Sequence, residues 1–215
     1  VVRFQTLENE YLNVCIHPNG TLDVKNKRSG TAYRGLNLFT DEADIGDAYL
    51  FSPELTAQVW NSAASAPSIR IQQGALCSSA ILDWTYRRKP DEPEQSLRLT
   101  VSLRKSDPLL RFHLKITNRI GDHRLRVHFP AGFSCDESFA DSIFTVERHP
   151  VRRRQPKPEA WVETESGCYS QKRFVYLQNG QQRLVFMGAG LLEYEASDCE
   201  SGTELAVTLL RAVGR

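Results

Sequence analysis

The strongest constraint on the fold of this chain is an alternation of apolar and polar residues with a period of two. The pattern runs through residues 12–16, 97–103, 110–116 and 125–129. Because successive side chains of a β-strand point to opposite faces of a sheet, this period predicts strands with one buried face. No segment combines helix-capping residues with apolar residues at helical spacing, so the chain is predicted to be all-β.

Turn signals separate these segments. Residues 17–20 read His-Pro-Asn-Gly, and Asn-Gly tolerates the positive φ of a tight hairpin turn. Asn179 and Gly180 form a second such pair. Shorter strands are predicted over residues 143–146, 174–177, 184–187 and 205–210. The last two of these are more uniformly apolar, which indicates central strands.

Strands separated by Gly, Pro, Asn and Asp turns predict a large antiparallel β-sandwich. With 215 residues and no clear linker, residues 1–215 are expected to form a single domain with a sizeable core. Two stretches rich in charge and proline, residues 87–94 and 152–158, are predicted to be exposed connections between strands.

Composition excludes some classes of partner. Lys+Arg 27 against Asp+Glu 26 leaves a net charge of +1, so no global field would steer the protein to nucleic acid or to an anionic membrane. No apolar run approaches the length of a membrane span. Five widely spaced cysteines argue against a secreted disulfide framework and favour a reducing cytoplasm. The chain begins at Val1 rather than Met and ends abruptly at Arg215, so it is expected to be a fragment.

Catalytic and metal-binding motifs are missing from the sequence. It contains no HxH, HxD or HExxH spacing, no GxSxG elbow, no P-loop and no GxGxxG. Each histidine is therefore predicted to be a solvated or hydrogen-bonded surface residue: His17, His113, His123, His128 and His149. The basic run at residues 152–154 has no interleaved aromatic residues and is predicted to be a solvated loop.

One acidic segment, residues 41–49, is more informative. It holds four acids and a tyrosine: Asp41, Glu42, Asp44, Asp47 and Tyr49. Glycosidases use paired carboxylates and Ca²⁺ sites cluster acids, but this spacing fits no EF-hand loop. Composition alone leaves open both a functional acidic site and a simple solvated loop.

Several segments also resemble the motifs of a known protein family and occur in the same order along the chain. They are residues 7–14 (Leu-Glu-Asn-Glu-Tyr-Leu-Asn-Val), 19–22 (Asn-Gly-Thr-Leu), 27–30 (Lys-Arg-Ser-Gly), 44–53 (Asp-Ile-Gly-Asp-Ala-Tyr-Leu-Phe-Ser-Pro), 171–175, 190–195 and 209–214. Together they resemble the C-terminal β-domain of glycoside hydrolase family 38 α-mannosidases, over nearly the whole chain.

The resemblance implies a galactose-mutarotase-like antiparallel sandwich from a retaining, zinc-dependent exo-α-mannosidase. In that family a catalytic domain N-terminal to the β-region supplies the zinc ligands, the nucleophilic Asp and the acid/base Asp. None of those motifs occurs here, so this fragment is expected to hold no catalytic residue and no cofactor, and to be inactive alone. Its implied partners are its own catalytic domain and a mannoside substrate. The parent enzyme can be a homo-oligomer, although its oligomeric state stays open.

The resemblance also assigns a sugar-binding role within the acidic segment. The family tyrosine that reaches the mannose hydroxyls matches Tyr49, and a phenol suits a sugar hydroxyl because it both donates and accepts hydrogen bonds. Asp44 and Asp47 would then order the loop and shape the rim of the pocket. The alternative is that Tyr49 only packs at a loop–strand junction. Arg148 is a candidate for an arginine that lines the site in some family members.

Two other functions stay open. A stand-alone, lectin-like carbohydrate-binding module would need an exposed aromatic platform, for which Trp60, Trp84 and Trp161 are the candidates, although tryptophans in a sandwich often anchor the core. A purely structural or assembly domain would show a large exposed apolar face where another domain docks.

Overall fold

A computed structural model of the chain describes residues 5–54, 56–151, 167–188 and 190–214. Within these ranges the structure contains strands and one single-turn 3-10 helix at Ser62–Ala64, and no α-helix. The all-β prediction is therefore confirmed for the described residues. All of the strand pairs are antiparallel.

The first two sheets have four strands each. Sheet 1 has the order β1-β2-β3-β4, with β1 at Gln5–Glu8, β2 at Leu12–Ile16, β3 at Leu22–Asn26 and β4 at Ala32–Leu36. Sheet 2 has the order β10-β9-β8-β7, with β7 at Ser68–Gln72, β8 at Cys77–Tyr86, β9 at Gln95–Arg104 and β10 at Leu110–Thr117.

The other two sheets have six and four strands. Sheet 3 has the order β14-β17-β18-β11-β5-β6, with β5 at Leu38–Ala43, β6 at Trp60–Asn61, β11 at His123–Pro130, β14 at Cys168–Ser170, β17 at Glu193–Cys199 and β18 at Gly202–Ala212. Sheet 4 has the order β13-β12-β15-β16, with β12 at Glu137–Asp141, β13 at Val146–Pro150, β15 at Phe174–Asn179 and β16 at Gln182–Met187.

The prediction of a large galactose-mutarotase-like β-sandwich is wrong, because the strands form four small sheets rather than two large layers. The alternating pattern reports which face of each strand is buried, but it does not report which strand lies beside it. The strand partners are instead chosen by contacts between distant segments, such as the pairing of β5 with β11 and of β11 with β18.

The predicted hairpins are confirmed. Strands β2 and β3 pair through the turn at residues 17–20, where Gly20 has φ +85° and its amide donates to the His17 carbonyl over 2.9 Å. Strands β15 and β16 likewise pair across Asn179 and Gly180. Positive φ at a glycine carries little steric cost, which is why the Asn-Gly signal located both turns correctly.

Two other strand predictions need correction. Residues 143–146 do not form a strand, because β13 begins only at Val146 and the exposed Ile143 and Phe144 lie in the turn before it. Residues 184–187 belong to β16, which lies at the edge of sheet 4 and not at its centre. The apolar run at residues 205–210 does lie centrally, in β18 between β17 and β11.

Two aromatic residues connect the sheets through one continuous hydrophobic core. Trp84 of β8 is 2% exposed, contacts Phe39 of β5 edge to face at 5.3 Å and lies directly under Gly20. Phe129 of β11 contacts Phe112 of β10 at 6.0 Å and Phe186 of β16 at 5.4 Å between ring centroids. Edge-on and tilted aromatic pairs add to the energy of area burial, so these rings hold sheets 1, 2, 3 and 4 around one core.

Sheet 3 positions the acidic segment. One of its faces carries the buried apolar residues Leu125, Val127 and Val207, whereas the other carries paired charges. On the charged face Arg124 of β11 lies directly opposite Glu42 of β5 on one side and Arg211 of β18 on the other. The chain then leaves β5 at Ala43 and enters the acidic loop.

Candidate functional site

Residues 44–53, here called the Tyr49 loop, leave sheet 3 after β5 and return to the same point. An isolated antiparallel bridge joins Asp44 to Pro53, and the Ile45 amide donates to the Ser52 carbonyl over 2.8 Å. The Asp47 amide donates to the Leu50 carbonyl over 3.1 Å inside the loop. The two ends of the loop are therefore joined at sheet 3, and its tip is residues 47–50.

Asp44 ties the two ends of the loop together. Its Oδ1 accepts hydrogen bonds from the amides of Gly46 at 2.9 Å and Ser52 at 3.1 Å, and its Oδ2 accepts from Arg211 Nε at 2.6 Å. Burial alone would raise the pKa of Asp44, but these three donors outweigh burial and lower it. Asp44, 2% exposed, is thus a buried, charged anchor rather than part of an open rim.

Asp47 shapes the tip of the loop. Its Oδ1 accepts hydrogen bonds from the amides of Tyr49 and Leu50, each at 2.8 Å, which closes a tight turn around residue 48. These amides, with that of Leu50 first, lower the pKa of the exposed Asp47 carboxyl. The predicted ordering role of both aspartates is consistent with this geometry.

A residue from the last strand holds the tip against sheet 3. Arg211 of β18 donates through Nη2 to the carbonyls of Asp47 and Leu50, each at 2.6 Å, while its Nε bonds Asp44. One guanidinium therefore contacts the base of the loop and both sides of its tip. Arginine makes these bonds from two nitrogens held in one plane, whereas the three donors of lysine all radiate from a single nitrogen.

A second arginine secures the returning half of the loop. The guanidinium carbon of Arg124 lies 3.3 Å from the centre of the Phe51 ring, and Arg124 Nη2 donates to Glu42 Oε1 over 2.8 Å. Burial opposes the charge on Arg124, but Glu42 outweighs it, so the pKa of the guanidinium is raised. A charged guanidinium over an aromatic face is attractive, and here it fixes Phe51 next to the sheet.

Tyr49 projects from this fixed loop into solvent. Its side chain is 90% exposed, and within the described part of the chain its hydroxyl has no hydrogen-bond partner. Ile45 is 65% exposed and Leu50 is 42% exposed on the same loop. The structure thus presents an unpaired phenol, flanked by apolar side chains, on a loop whose backbone is anchored at several points.

The other two acids of the segment face other surroundings. Asp41 is fully buried and accepts hydrogen bonds from Tyr86 Oη at 2.6 Å, with His123 Nδ1 at 2.8 Å. Glu42 pairs with Arg124 and with Arg126 at 3.0 Å. Only Asp44 and Asp47 therefore belong to the Tyr49 loop.

The predictions for the histidines are partly wrong. His113 is exposed as expected, but His123 is 1% exposed and His128 is 7% exposed, although both are hydrogen-bonded. Both residues lie on β11, an inner strand of the six-stranded sheet 3 between β18 and β5. The alternating pattern could not show this because the sheet order is not encoded locally.

Comparison with known proteins identifies the family. The family model described as "Glycosyl hydrolases family 38 C-terminal domain" matches residues 7–215. The chain belongs to glycoside hydrolase family 38. As the ordered motifs implied, it corresponds to the C-terminal region of that family.

Family 38 relatives are much longer than this chain. A protein from Halalkalibacterium halodurans with the provisional name mannosylglycerate hydrolase is 31% identical, over 97% of this chain and 25% of its own length. The structure of an α-mannosidase from Enterococcus faecalis V583 superposes with a TM-score of 0.87 at 27% identity, covering 97% of this chain and 26% of that one. A second Enterococcus faecalis family 38 structure gives 0.84 at 26% identity, covering 98% of this chain and 26% of that one. The chain thus spans about a quarter of the length of these relatives.

The family 38 domain offers no fit to a metal ion in the part that the structure describes. There, no group of three or more His, Cys, Asp or Glu side chains is arranged to hold one. Both carboxylate oxygens of Asp44 already accept hydrogen bonds from Arg211 and from backbone amides, and Asp47 Oδ1 accepts from two backbone amides. Nor does any described helix have the length and apolar character needed to cross a bilayer.

A polar cavity of about 450 Å³ lies beside the base of the Tyr49 loop. Its lining includes Asp44, Ile45, Arg88 and Lys89. Arg88 was predicted to be in a solvated connection, but it is buried and donates to Glu92 Oε1 over 2.6 Å. The cavity charges are therefore largely paired within the domain.

Most other candidate residues lie away from the loop. Trp84 is buried in the core, and one face of the half-buried Trp60 stacks on Tyr86 at 3.6 Å between centroids. Arg148 lies on β13 of sheet 4 and pairs with Glu137 at 3.7 Å. Trp161 and the connection at residues 152–158 lie outside the described residues.

Sequence reasoning missed the two arginines that hold the loop. Arg211 falls within the family-like segment at residues 209–214, Arg124 lies just before the predicted strand at 125–129, and nothing in the local sequence of either sets it apart. The available signal was indirect: an arginine near the end of a long apolar strand is costly to bury without a carboxylate partner. That rule predicts an acidic partner but not which one.

Proposed function

We propose that this domain is the C-terminal part of a retaining, zinc-dependent exo-α-mannosidase, where it supports the catalytic domain and contributes Tyr49 to the sugar pocket. Its similarity to the Enterococcus faecalis α-mannosidase supports the substrate class. The zinc site, the nucleophile and the acid/base residue would lie in the longer part of the polypeptide, as the family resemblance implies. The single observation that carries the role of Tyr49 is its 90% exposure on an anchored loop.

The exposed phenol suits a sugar hydroxyl for chemical reasons. A phenol donates one hydrogen bond and accepts others, so it can bond a mannose hydroxyl in either sense. A fixed loop lowers the entropy that would be lost when such a bond forms. A polar contact of this kind also discriminates against an epimer that lacks the hydroxyl.

The surroundings of Tyr49 suit contact with another part of a longer polypeptide. Ile45 and Leu50 expose apolar surface beside it, and relatives of the chain are about four times its length. Burial of these side chains against a catalytic domain would stabilise the assembly and bring the phenol to the edge of the pocket. Tyr49 and the apolar residues around it would then act together at one interface.

The test is Tyr49→Phe in the full-length protein that carries this domain. Loss of one hydrogen bond to a neutral hydroxyl should lower kcat/KM for an aryl α-mannoside by roughly tenfold. Tyr33→Phe is the matched control, because it removes a phenol that bonds the Arg183 carbonyl at 2.7 Å away from the loop. Unchanged kcat/KM in Tyr49→Phe would leave Tyr49 a residue without contact to the sugar.

Three further measurements address the rest of the proposal. The 215-residue chain alone should not hydrolyse an aryl α-mannoside above the buffer rate, because the catalytic groups would lie elsewhere. A chelator should abolish activity of the full-length protein without changing the unfolding temperature of this domain, since the metal would lie outside it. Saturable quenching of tryptophan fluorescence by mannose in the isolated chain would instead favour the lectin-like module.

A further inference from the structure

We infer that Arg211 is the positioning residue that sets the direction in which Tyr49 points, although it does not touch the sugar. This inference rests on the proposed function of Tyr49 and extends it to a residue in the last strand. It concerns how the loop is held relative to sheet 3, which the loop's own residues do not determine.

The geometry separates two tasks within the Tyr49 loop. Asp47 forms the turn locally, because its carboxylate bonds the amides of Tyr49 and Leu50. Those bonds give the tip its shape, but they would be kept if the whole tip rotated. The direction of the tip must therefore be fixed by groups outside it.

Arg211 supplies the outside contacts on both sides of Tyr49. Its Nη2 reaches the carbonyl of Asp47, two residues before Tyr49, and that of Leu50, one residue after it, at 2.6 Å each. Its Nε bonds Asp44 at 2.6 Å, so the same guanidinium is tied to the base of the loop. Charge-assisted bonds in a fixed planar arrangement are among the stronger and more directional hydrogen bonds.

Arg211 is itself held in place. Its backbone belongs to β18, between β17 and β11, and its side chain is only 16% exposed. The neighbouring cation is Arg124, directly opposite in β11, and it is paired with Glu42. Arg211 therefore has Asp44 as its carboxylate partner and cannot leave the loop without breaking three hydrogen bonds.

A double-mutant cycle in the full-length protein tests the inference. Arg211→Ala should lower kcat/KM for an aryl α-mannoside by roughly tenfold when Tyr49 is present, because the phenol is no longer held toward the sugar. In a Tyr49→Ala background the same change should cost nothing further, since Arg211 acts only through Tyr49. Equal losses in both backgrounds would overturn the inference.

The activity of a conservative variant and the chemical rescue of Arg211→Ala distinguish a loss of positioning from a general loss of stability. Arg211→Lys should recover only a small part of the activity, because the single nitrogen of lysine cannot occupy both the Nε and the Nη2 positions of the guanidinium. Methylguanidinium added to Arg211→Ala should restore activity, whereas methylammonium should not. Arg98→Ala is the matched control, because Arg98 is 60% exposed and pairs with Asp83 on sheet 2.

Hydrogen exchange separates a failure of this inference from a failure of the proposed function. In Arg211→Ala the amides of residues 45–50 should exchange faster, while those of β8 and β9 should not change. If the amides of residues 45–50 exchange faster in Arg211→Ala but Tyr49→Ala keeps full activity, the sugar role of Tyr49 is refuted and the positioning role of Arg211 stands. Unchanged exchange in Arg211→Ala would refute the positioning role itself.

Discussion

The carboxylate of Asp41 lies 2.8 Å from the imidazole of His123 in the protein interior, although the two residues are 82 positions apart. The other ring nitrogen, His123 Nε2, lies 3.0 Å from Asn118 Oδ1, and Asn118 Nδ2 donates to the Ile120 carbonyl over 2.9 Å. Both ring nitrogens of His123 therefore have a hydrogen-bond partner. Asp41 and His123 thus form one buried unit on adjacent strands of sheet 3.

Disruption of this pair should destabilise the fold strongly. Asp41→Asn leaves a buried imidazole without its carboxylate, and breaking a buried pair costs about 3–5 kcal/mol of unfolding free energy. Urea denaturation of the 215-residue chain measures the loss. Asp83→Asn is the control, because its partners Arg70 and Arg98 are exposed, and exposed pairs contribute about 1 kcal/mol or less. Similar small losses in both variants would show that the buried pair contributes little.

Acid should release the Tyr49 loop only at low pH. Because hydrogen bonds lower the folded-state pKa of Asp44, its stabilising effect is complete above the ordinary value of 3.8 and is lost as pH falls through the lowered pKa. The Gly46 and Ser52 amide shifts should stay constant from about pH 7 to pH 5 and titrate with a midpoint below 3.8. Arg211→Ala should move that midpoint upward, and a wild-type midpoint above 3.8 would contradict the hydrogen-bond geometry.

Gly46→Ala should displace the Tyr49 loop. A Cβ at Gly46 would lie under 3.0 Å from both the Leu50 carbonyl oxygen and the Ser52 amide nitrogen, and backbone atoms have little room to move away. Hydrogen exchange at the Tyr49 and Leu50 amides should therefore become faster. Gly121→Ala is the matched control, because its Cβ would approach no atom closer than 3.5 Å. If amide exchange in both variants equals that of the unsubstituted chain, the loop accommodates the added Cβ despite these close contacts, and the prediction is wrong.

Gly20→Ala should separate steric overpacking from backbone strain. Gly20 has φ +85° and its Cβ would overlap the Trp84 ring, whereas Gly30 has φ +75° with open space around it. Gly30→Ala should cost about 1–2 kcal/mol from the left-handed backbone alone. Gly20→Ala should cost about 1–3 kcal/mol more through overpacking, with a change in Trp84 fluorescence. Equal unfolding free energies for the two variants would remove the core contact from the explanation.

The acidic segment shows how far sequence reasoning extended into the site. Its family motif selected Tyr49, Asp44 and Asp47, and the structure places all three in one loop with Tyr49 at the surface. The same motif could not select Arg211, because that residue is 167 positions from Asp44. The sugar contact of Tyr49 stays a prediction.

The sequence by itself determined the strands and the tight turns, because the period of two and the Asn-Gly pairs act between neighbouring residues. Only the tertiary structure decided that the strands divide into four sheets, that Asp41 joins His123 in the core, and that Arg211 meets the Tyr49 loop. The physical reason is that strand edges expose similar backbone donors and acceptors along their length. An alternating strand therefore specifies its buried face, while the choice of its neighbours depends on packing between distant segments.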